Sequence, residues 1–257
     1  TQGIVNGPDG RKMSKRWGNV VAPGPMVATH GADTLRLFIL FAAPPEKDID
    51  WSDEQVDGLF RFLARVWRIF HARQETFATD LAAAKGAEGP FLELRRRTHR
   101  TLKKVTEAFE GDLKFNTAIA ALMELVNELY ALEPRSEPER AAVKEALQAL
   151  AMLLAPFAPH AAEELWHELA GEAVRDQLLA EQPWPTFDPA LVVADVVTIA
   201  VQVNGKLRGE VQAPLAALEA EVRALAEAEK GVASHLAGKT IRKVVFVPKR
   251  LLNFVVA

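Results

Sequence analysis

Residues 52–70 read SDEQVDGLFRFLARVWRIF, and this stretch predicts the first long helix of a bundle. Its apolar residues recur every three or four positions: Val56, Leu59, Phe60, Leu63, Val66, Trp67 and Phe70. That spacing places side chains on one face of an α-helix. Ser52 stands where an N-cap is expected, and Gln55 completes a capping box. We therefore expect an amphipathic helix that begins after Ser52 and buries one face.

Four more helical segments follow along the chain. They are expected at about 91–110, at about 116–132, from Pro138 to Pro156, and at 159–171. Short connections between amphipathic helices favour antiparallel neighbours. A proline-rich segment, Gln182 to Pro189, resembles a linker. The prediction is a mainly α protein with an antiparallel helix bundle over residues 51–190.

The last part of the chain, 191–257, changes to an alternating pattern. Val197, Ile199, Val201 and Val203 alternate up to Asn204-Gly205, which is a strong hairpin signal. A helix at about 214–229 and two strands, 241–247 and 251–256, are expected after it. This is a small C-terminal α/β domain.

Residues 1–50 hold a cationic loop between Gly10 and Val20. Arg11, Lys12, Lys15 and Arg16 fall within six residues with no acid between them. Mobile ammonium groups can follow charge that develops on a polyphosphate. The alternative is a solvated basic loop with no ligand. Residues 3–12 are expected to form a hairpin that enters the loop, and Asp33 is expected to cap the helix that carries the apolar run 35–41.

Composition narrows the classes of protein. The chain has 257 residues, a formal charge of −3 and no cysteine, so disulfides and cysteine-ligated zinc are excluded within it. We expect a cytoplasmic protein with no membrane span. His160, Glu164 and His167 share a helix face but lack the closer histidine pair and third partner of a zinc site, so no metal is expected on this chain alone.

Nucleic-acid binding would have to come from local basic patches, because the overall charge is close to neutral. One patch lies on the second helix, and its candidate RNA contacts are Arg95, Arg96, Arg100 and Lys103. A solvated helix face is the alternative there. The other patch lies in the C-terminal domain, where no acid follows Gly238, and its candidates are Lys206, Arg208, Lys239, Arg242, Lys243, Lys249 and Arg250.

The motif Lys12-Met13-Ser14-Lys15, followed by GNVV at 18–21 and GADTLR at 31–36, resembles the KMSKS region of class I aminoacyl-tRNA synthetases. Arg16 replaces the last serine of that signature. The resemblance implies that Lys12, Met13, Ser14 and Lys15 bind ATP, accompanied by Mg²⁺, and that Lys12 and Lys15 are catalytic. It also implies that residues 1–50 end a catalytic domain and that 51–190 form an anticodon-binding bundle.

Further stretches are similar to the bacterial-type leucyl-tRNA synthetase family: FAAPPEKD at 41–48, FNTAIA at 115–120, PHAAEELW at 159–166, VQVNGKLRG at 201–209 and GKTIRK at 238–243. This resemblance implies ATP-dependent activation of leucine and its transfer to leucine tRNA. Isoleucyl- or valyl-type synthetases and a catalytically incomplete tRNA-binding module are the alternatives. The N-terminal catalytic half would be a further partner, in the same polypeptide or a separate subunit, and this chain alone is expected to be inactive.

Overall fold

A computed structural model describes residues 3–111, 113–171, 177–192, 196–214 and 217–256. The chain forms two compact units, 1–192 and 193–257. The predicted mainly α fold with a small C-terminal α/β domain is confirmed. The predicted boundary at residue 50 stays a prediction: the helix Ala32–Ala42, before it, packs against the helices Asp53–Ala72 and Phe115–Ala131, beyond it.

The first unit is a helix bundle with one hydrophobic core. Its elements are β1 (Val5–Asn6), α1 (Pro23–His30), α2 (Ala32–Ala42), β2 (Ile49–Asp50), α3 (Asp53–Ala72), α4 (Gly89–Glu110), α5 (Phe115–Ala131), α6 (Glu137–Leu154), α7 (Pro159–Ala170) and α8 (Pro189–Val192). Helices α4, α5 and α6 pack against one another, and α7 packs against α6. The predicted helices therefore exist within a few residues of their expected ends.

Helix α3 begins as predicted but is rotated relative to the predicted stripe. The Ser52 hydroxyl accepts the Gln55 backbone N–H at 3.3 Å, which confirms the cap. Phe62 and Ile69 are buried, whereas Phe60 is 45% exposed. The prediction for Phe60 was wrong because the core lies on the side of Phe62, and at 100° per residue Phe60 falls outside that face.

The entry to the cationic loop differs from the predicted hairpin. Strand β1 pairs in parallel with β2, with Val5 opposite Ile49. The expected hairpin is reduced to one antiparallel bridge between Asn6 and Lys12. Strand β1 forms its ladder with β2 rather than with residues of the loop. The Ile4 N–H also donates to the Asp48 carboxylate at 2.7 Å, and this bond holds β1 against residues 44 positions away.

Asp33 does cap a helix, but not the predicted one. Gly31 is the N-cap of α2, and Asp33 lies in its first turn. The Asp33 carboxylate instead accepts the Ala161 backbone N–H and the His160 Nδ1–H, both at 2.8 Å. Those residues open α7, whose own N-cap position, Ala158, supplies no side-chain bond. The local prediction failed because the carboxylate satisfies a helix terminus distant in sequence.

The second unit is a four-stranded sheet with two helices. It contains β3 (Val196–Val203), β4 (Lys206–Pro214), α9 (Glu219–Ala228), α10 (Lys230–Leu236), β5 (Ile241–Val247) and β6 (Leu251–Val256). The strand order is β4-β3-β6-β5, and β3 and β6 are parallel. The predicted hairpin and last two strands are confirmed. The helix predicted at about 214–229 is α9, which begins later, at Glu219, because β4 continues to Pro214. Helix α10 was not predicted, and Glu229 caps it by accepting the Val232 N–H at 2.7 Å.

Candidate functional site

The cationic loop has a defined backbone rather than an open one. A short 3₁₀ turn spans Lys15–Trp17, and the Ser14 hydroxyl caps it by accepting the Arg16 N–H at 3.2 Å. Gly18 ends the turn with φ 66°, a left-handed conformation that glycine adopts without steric cost. The turn places Lys15 on a capped segment directly after Ser14.

Asn19 connects the two sides of the loop through its side-chain amide. Its Oδ1 accepts the Ser14 N–H at 2.8 Å. Its Nδ2 donates to Asp9 Oδ1 at 2.9 Å and lies 3.4 Å from the carbonyl oxygens of Arg11 and Lys12. The backbone on both sides of Met13 is thereby bonded to one side chain.

The four cations of the loop divide into two kinds. Among the described residues, neither exposed lysine, Lys12 or Lys15, has a side-chain hydrogen bond or ion pair. The guanidiniums of Arg11 and Arg16 instead lie over the ring of Trp17, at 5.9 and 5.4 Å from its centroid. The lysine ammonium groups are therefore the cations left available to a ligand.

The Asp9 carboxylate, which lies in the same loop, is bonded to groups other than the lysines. Asp9 accepts from Asn19 and from the Arg11 backbone N–H, and its Oδ2 lies 4.0 Å from Arg11 Nε. The hydrogen bond from Asn19 lowers the pKa of Asp9, so its carboxylate stays ionised as an acceptor within the loop. The contacts of Asp9 are therefore with Asn19 and Arg11, and no ion pair joins it to Lys12 or Lys15 among the described residues.

The other two predicted ATP contacts have structural positions. Met13 is partly buried against the hydrophobic core of the first unit. The Ser14 hydroxyl is used as the cap of the 3₁₀ turn. Met13 thus attaches the loop to the first unit, while Lys12 and Lys15 are exposed. The ATP roles of these four residues stay predictions.

The predicted RNA contacts on α4 face acids of the bundle. Arg95 is 11% exposed and donates to both oxygens of Glu145, at 2.7 and 3.2 Å. Glu93 pairs with Arg96 at 3.6 Å and with Arg100 at 2.8 Å. Lys103 lies 3.7 Å from Glu107. This geometry favours a solvated, internally paired face, and the RNA role of these residues stays a prediction.

The candidate cations of the second unit have a different environment. These candidates are Lys206, Arg208, Lys239, Arg242, Lys243, Lys249 and Arg250. Arg208 is partly buried and the other six are exposed. Among the described residues, no ion pair involves any of the seven. Because β3 and β6 are parallel and Ile241 pairs with Val256, Lys206 and Arg242 lie at one end of the sheet. The turn with Lys249 and Arg250 lies at the other end. The structure thus separates the predicted patch into two groups.

A further basic surface on α3 was missed from the sequence. Arg61, Arg65 and Arg68 line a groove of about 640 Å³ with Phe60 and residues of α5. Arg65 donates to Asn127 at 2.8 Å and lies 5.0 Å from the centroid of the Tyr130 ring. Arginines at i, i+4 and i+7 share a helix face, and that spacing was the signal available in the sequence.

The histidines that had metal-like spacing are engaged elsewhere. His160 bonds Asp33, and His167 Nε2 lies 3.2 Å from Glu163 Oε1. Within the described ranges, no three His, Cys, Asp or Glu side chains are grouped to hold a metal ion. No helix in the described part of the chain has the length and apolarity to cross a membrane.

Two family models match the chain. The model described as "Anticodon-binding domain of tRNA ligase" matches residues 92–223, and "tRNA synthetases class I (I, L, M and V)" matches residues 1–52. The first match covers α4 to α7 and continues through β3, β4 and the start of α9. The second ends at Ser52 and includes the whole cationic loop.

Curated relatives match over the entire chain. They include leucine–tRNA ligases of Geobacter sp. (strain M21), at 49% identity, of Geotalea uraniireducens, at 47%, and of Thermotoga maritima, at 43%. In each alignment all of this chain is covered, together with 31% of the relative. The chain therefore spans about a third of the length of these relatives.

Solved structures give the same fold. A ternary complex of Agrobacterium radiobacter K84 agnB2 LeuRS with tRNA and LeuAMS matches with a TM-score of 0.82 and 33% identity, over all of this chain and 33% of that one. Mycobacterium tuberculosis methionyl-tRNA synthetase, with methionyl-adenylate, matches with a TM-score of 0.50 and 20% identity, over 74% of this chain and 42% of that one. The second likeness concerns the fold alone.

Proposed function

This chain belongs to the anticodon-binding-domain family of tRNA ligases, and we propose that it is the C-terminal part of a leucine–tRNA ligase. The whole protein would activate leucine with ATP and transfer it to leucine tRNA. The observation that carries the proposal is a fixed loop whose two exposed lysines pair with no carboxylate in the described part of the chain, in a chain aligned throughout with leucine–tRNA ligases. The proposal implies a partner for this chain, the N-terminal catalytic half, in the same polypeptide or in a separate subunit.

Lys12 and Lys15 act on the phosphates of ATP in this proposal. Attack by the leucine carboxylate on the α-phosphorus displaces pyrophosphate, and negative charge grows on the leaving group. Two ammonium groups that are already free of carboxylates stabilise that charge without first breaking an ion pair. The attacking carboxylate needs no general base, and none is assigned to this chain. Mg²⁺ accompanies ATP, and no residue of this chain is assigned to it.

The chain also holds tRNA in this proposal. The cations of the second unit, which form no ion pair among the residues that the structure describes, are suited to phosphate contacts, and such contacts dominate nucleic-acid affinity. The α3 groove adds Arg61 and Arg68 beside the exposed aromatic side chain of Phe60. Arg95 is left out of this surface, because a phosphate would have to displace Glu145 from it.

The test is leucine-dependent exchange of labelled pyrophosphate into ATP by the full-length protein that contains this chain. We expect exchange with leucine and not with isoleucine or valine. Lys12→Ala and Lys15→Ala should each lower kcat by about 100-fold, the scale of losing one electrostatic stabiliser of the transition state. Lys85→Ala, an exposed lysine of the bundle, is the matched control and should leave kcat unchanged.

Two results would contradict the proposal. Exchange driven by isoleucine or valine would assign the chain to another branch of the class. Full activity in both lysine variants would remove the loop from the chemistry. A charging assay with leucine tRNA, run on the same preparations, measures the transfer step separately.

A further inference from the structure

We propose that Asn19 is a positioning residue, whose side-chain amide holds the loop so that Lys12 and Lys15 meet the phosphates in a fixed arrangement. The inference rests on the proposed function for its kinetic consequence, but its geometry stands on the loop itself. Asn19 bonds the backbone N–H of Ser14, which directly precedes Lys15, and approaches the carbonyl oxygen of Lys12. One amide therefore restrains the chain beside both lysines.

Only a carboxamide satisfies this site. The oxygen must accept from Ser14, while the nitrogen must donate to the Asp9 carboxylate and towards two carbonyl oxygens. A carboxylate of the same shape can accept from Ser14 but has no donor, and it would meet the ionised Asp9 at the present 2.9 Å. Like charges at that distance repel, so the loop would open on the Asp9 side.

Gly7 supplies independent evidence that Asn19 is locked in place. A Cβ added to Gly7 would lie 2.7 Å from the backbone carbonyl oxygen of Asn19 and 2.9 Å from its side-chain Nδ2. The turn that enters the loop is thus packed directly against this residue. Preorganisation of this kind matters for catalysis, because small displacements of groups that stabilise a transition state reduce the rate strongly.

The kinetic test uses the full-length ligase and a charge swap. Asn19→Asp should lower kcat for pyrophosphate exchange by about 100-fold, with KM for leucine within about twofold of the unsubstituted enzyme. Asp9→Asn keeps an acceptor for Asn19 and should change kcat by less than about threefold. In the doubly substituted enzyme, the amide at position 9 can donate to the carboxylate at position 19, and kcat should recover about tenfold over Asn19→Asp.

A second pair of variants guards against misfolding. Gly7→Ala should lower kcat through the displaced Asn19, whereas Gly24→Ala should not, since an added Cβ there meets no atom within 4 Å. A merely structural role would lower the melting temperature and kcat together and would give no recovery on swapping. Equal kcat for the unsubstituted and Asn19→Asp enzymes would overturn the proposal.

A readout without catalysis separates this inference from the proposed function. Trypsin cleaves after Arg11, Lys12, Lys15 and Arg16, so the rate of cleavage in the loop reports its opening. We expect faster cleavage in Asn19→Asp and slower cleavage again in the doubly substituted protein. If the unsubstituted protein lacks leucine-dependent exchange, the proposed function fails, and the cleavage rates still decide the role of Asn19. Identical cleavage in all three proteins would refute it.

Discussion

Asp33 and Ala161 are 128 positions apart, and the carboxylate of the first accepts the backbone N–H of the second at 2.8 Å. Asp33 lies in the first turn of α2, and through this bond it caps the N-terminus of α7. The aspartate is 8% exposed, so both partners of the bond are largely withdrawn from water. Helix α2 is therefore joined to α7 by a cap.

Asp33→Ala should destabilise the protein by about 2 kcal/mol, because it removes an N-cap and leaves a largely buried N–H without an acceptor. Asp33→Asn keeps an acceptor and should lose roughly half as much. The free energy of unfolding from urea titration measures both. Glu54→Ala, an exposed acid in the first turn of α3, is the control. A loss no larger than that of the control would show that the cap contributes little.

Glu145 should give the bundle a pH-dependent stability. Burial raises its pKa, but hydrogen bonds from His99 and Arg95 and their charges outweigh burial and lower it overall. A carboxylate with a lowered folded-state pKa stabilises above its unfolded-state pKa, and this stability is lost as pH falls through the folded-state value. The contribution should be complete at neutral pH and decline below about pH 4.5.

Glu145→Gln tests this directly. At pH 7 we expect a loss of roughly 2 kcal/mol, because Arg95 is left largely buried without its counter-charge. The difference from the unsubstituted protein should shrink as the pH is lowered through the acidic range. Glu93→Gln removes an exposed partner of Arg96 and Arg100 and should change stability by less than about 1 kcal/mol at any pH. A pH-independent difference for Glu145→Gln would contradict the linkage.

The proline-rich segment should be held to α4 by Trp184. Its Nε1–H donates to the Thr106 hydroxyl at 2.9 Å, and its ring lies edge-on to Phe109, with centroids 5.7 Å apart. Trp184→Phe keeps an aromatic ring and removes the donor, so we expect a loss of about 1 kcal/mol. Thr106→Val removes the acceptor. If the pair acts as one interaction, the double substitution costs little more than either single one in thermal unfolding.

In the proposed function, the salt dependence of tRNA binding comes mainly from the basic end of the second unit that holds Arg242. Replacing Lys239, Arg242 and Lys243 together by alanine should reduce the slope of log affinity against log salt by about two to three, or about one for each lost phosphate contact. Arg223→Ala is the control, because Arg223 is already paired with Glu227 at 2.8 Å. An unchanged slope in the triple variant would show that these three residues do not contact RNA phosphates.

Local patterns predicted helices and strands well where burial follows the residue period. The hairpin at Asn204-Gly205 and, apart from the exposed Phe60, the stripe from Val56 to Phe70 are examples, because turn chemistry and amphipathicity act over a few residues. The failures involve partners distant in sequence. Asp33 caps α7, and β1 pairs with β2 rather than closing a hairpin. No local propensity encodes those choices.

The candidate site shows the same division. The lysine motif and its resemblance to a known family located the loop, but no local pattern of residues singled out Asn19. Its importance comes from four polar atoms brought together by the turn. Helix α4 is the opposite case, in which the sequence pattern singled out residues that the structure shows to be paired. The number of arginines in a helix does not show that Arg95 faces Glu145.

The position of β6 between β3 and β5 has a consequence for damage to the protein. The turn before it contains Lys249 and Arg250, both exposed, and Lys249 has φ 64°. A single proteolytic nick there would leave β6 without its covalent link to β5, so the strand free to dissociate would be an inner strand rather than an edge strand. The strands on either side would be left with unpaired inner edges, which recruit other chains and promote aggregation. In the proposed function, RNA bound at that turn would shield the peptide bonds after Lys249 and Arg250 from proteases.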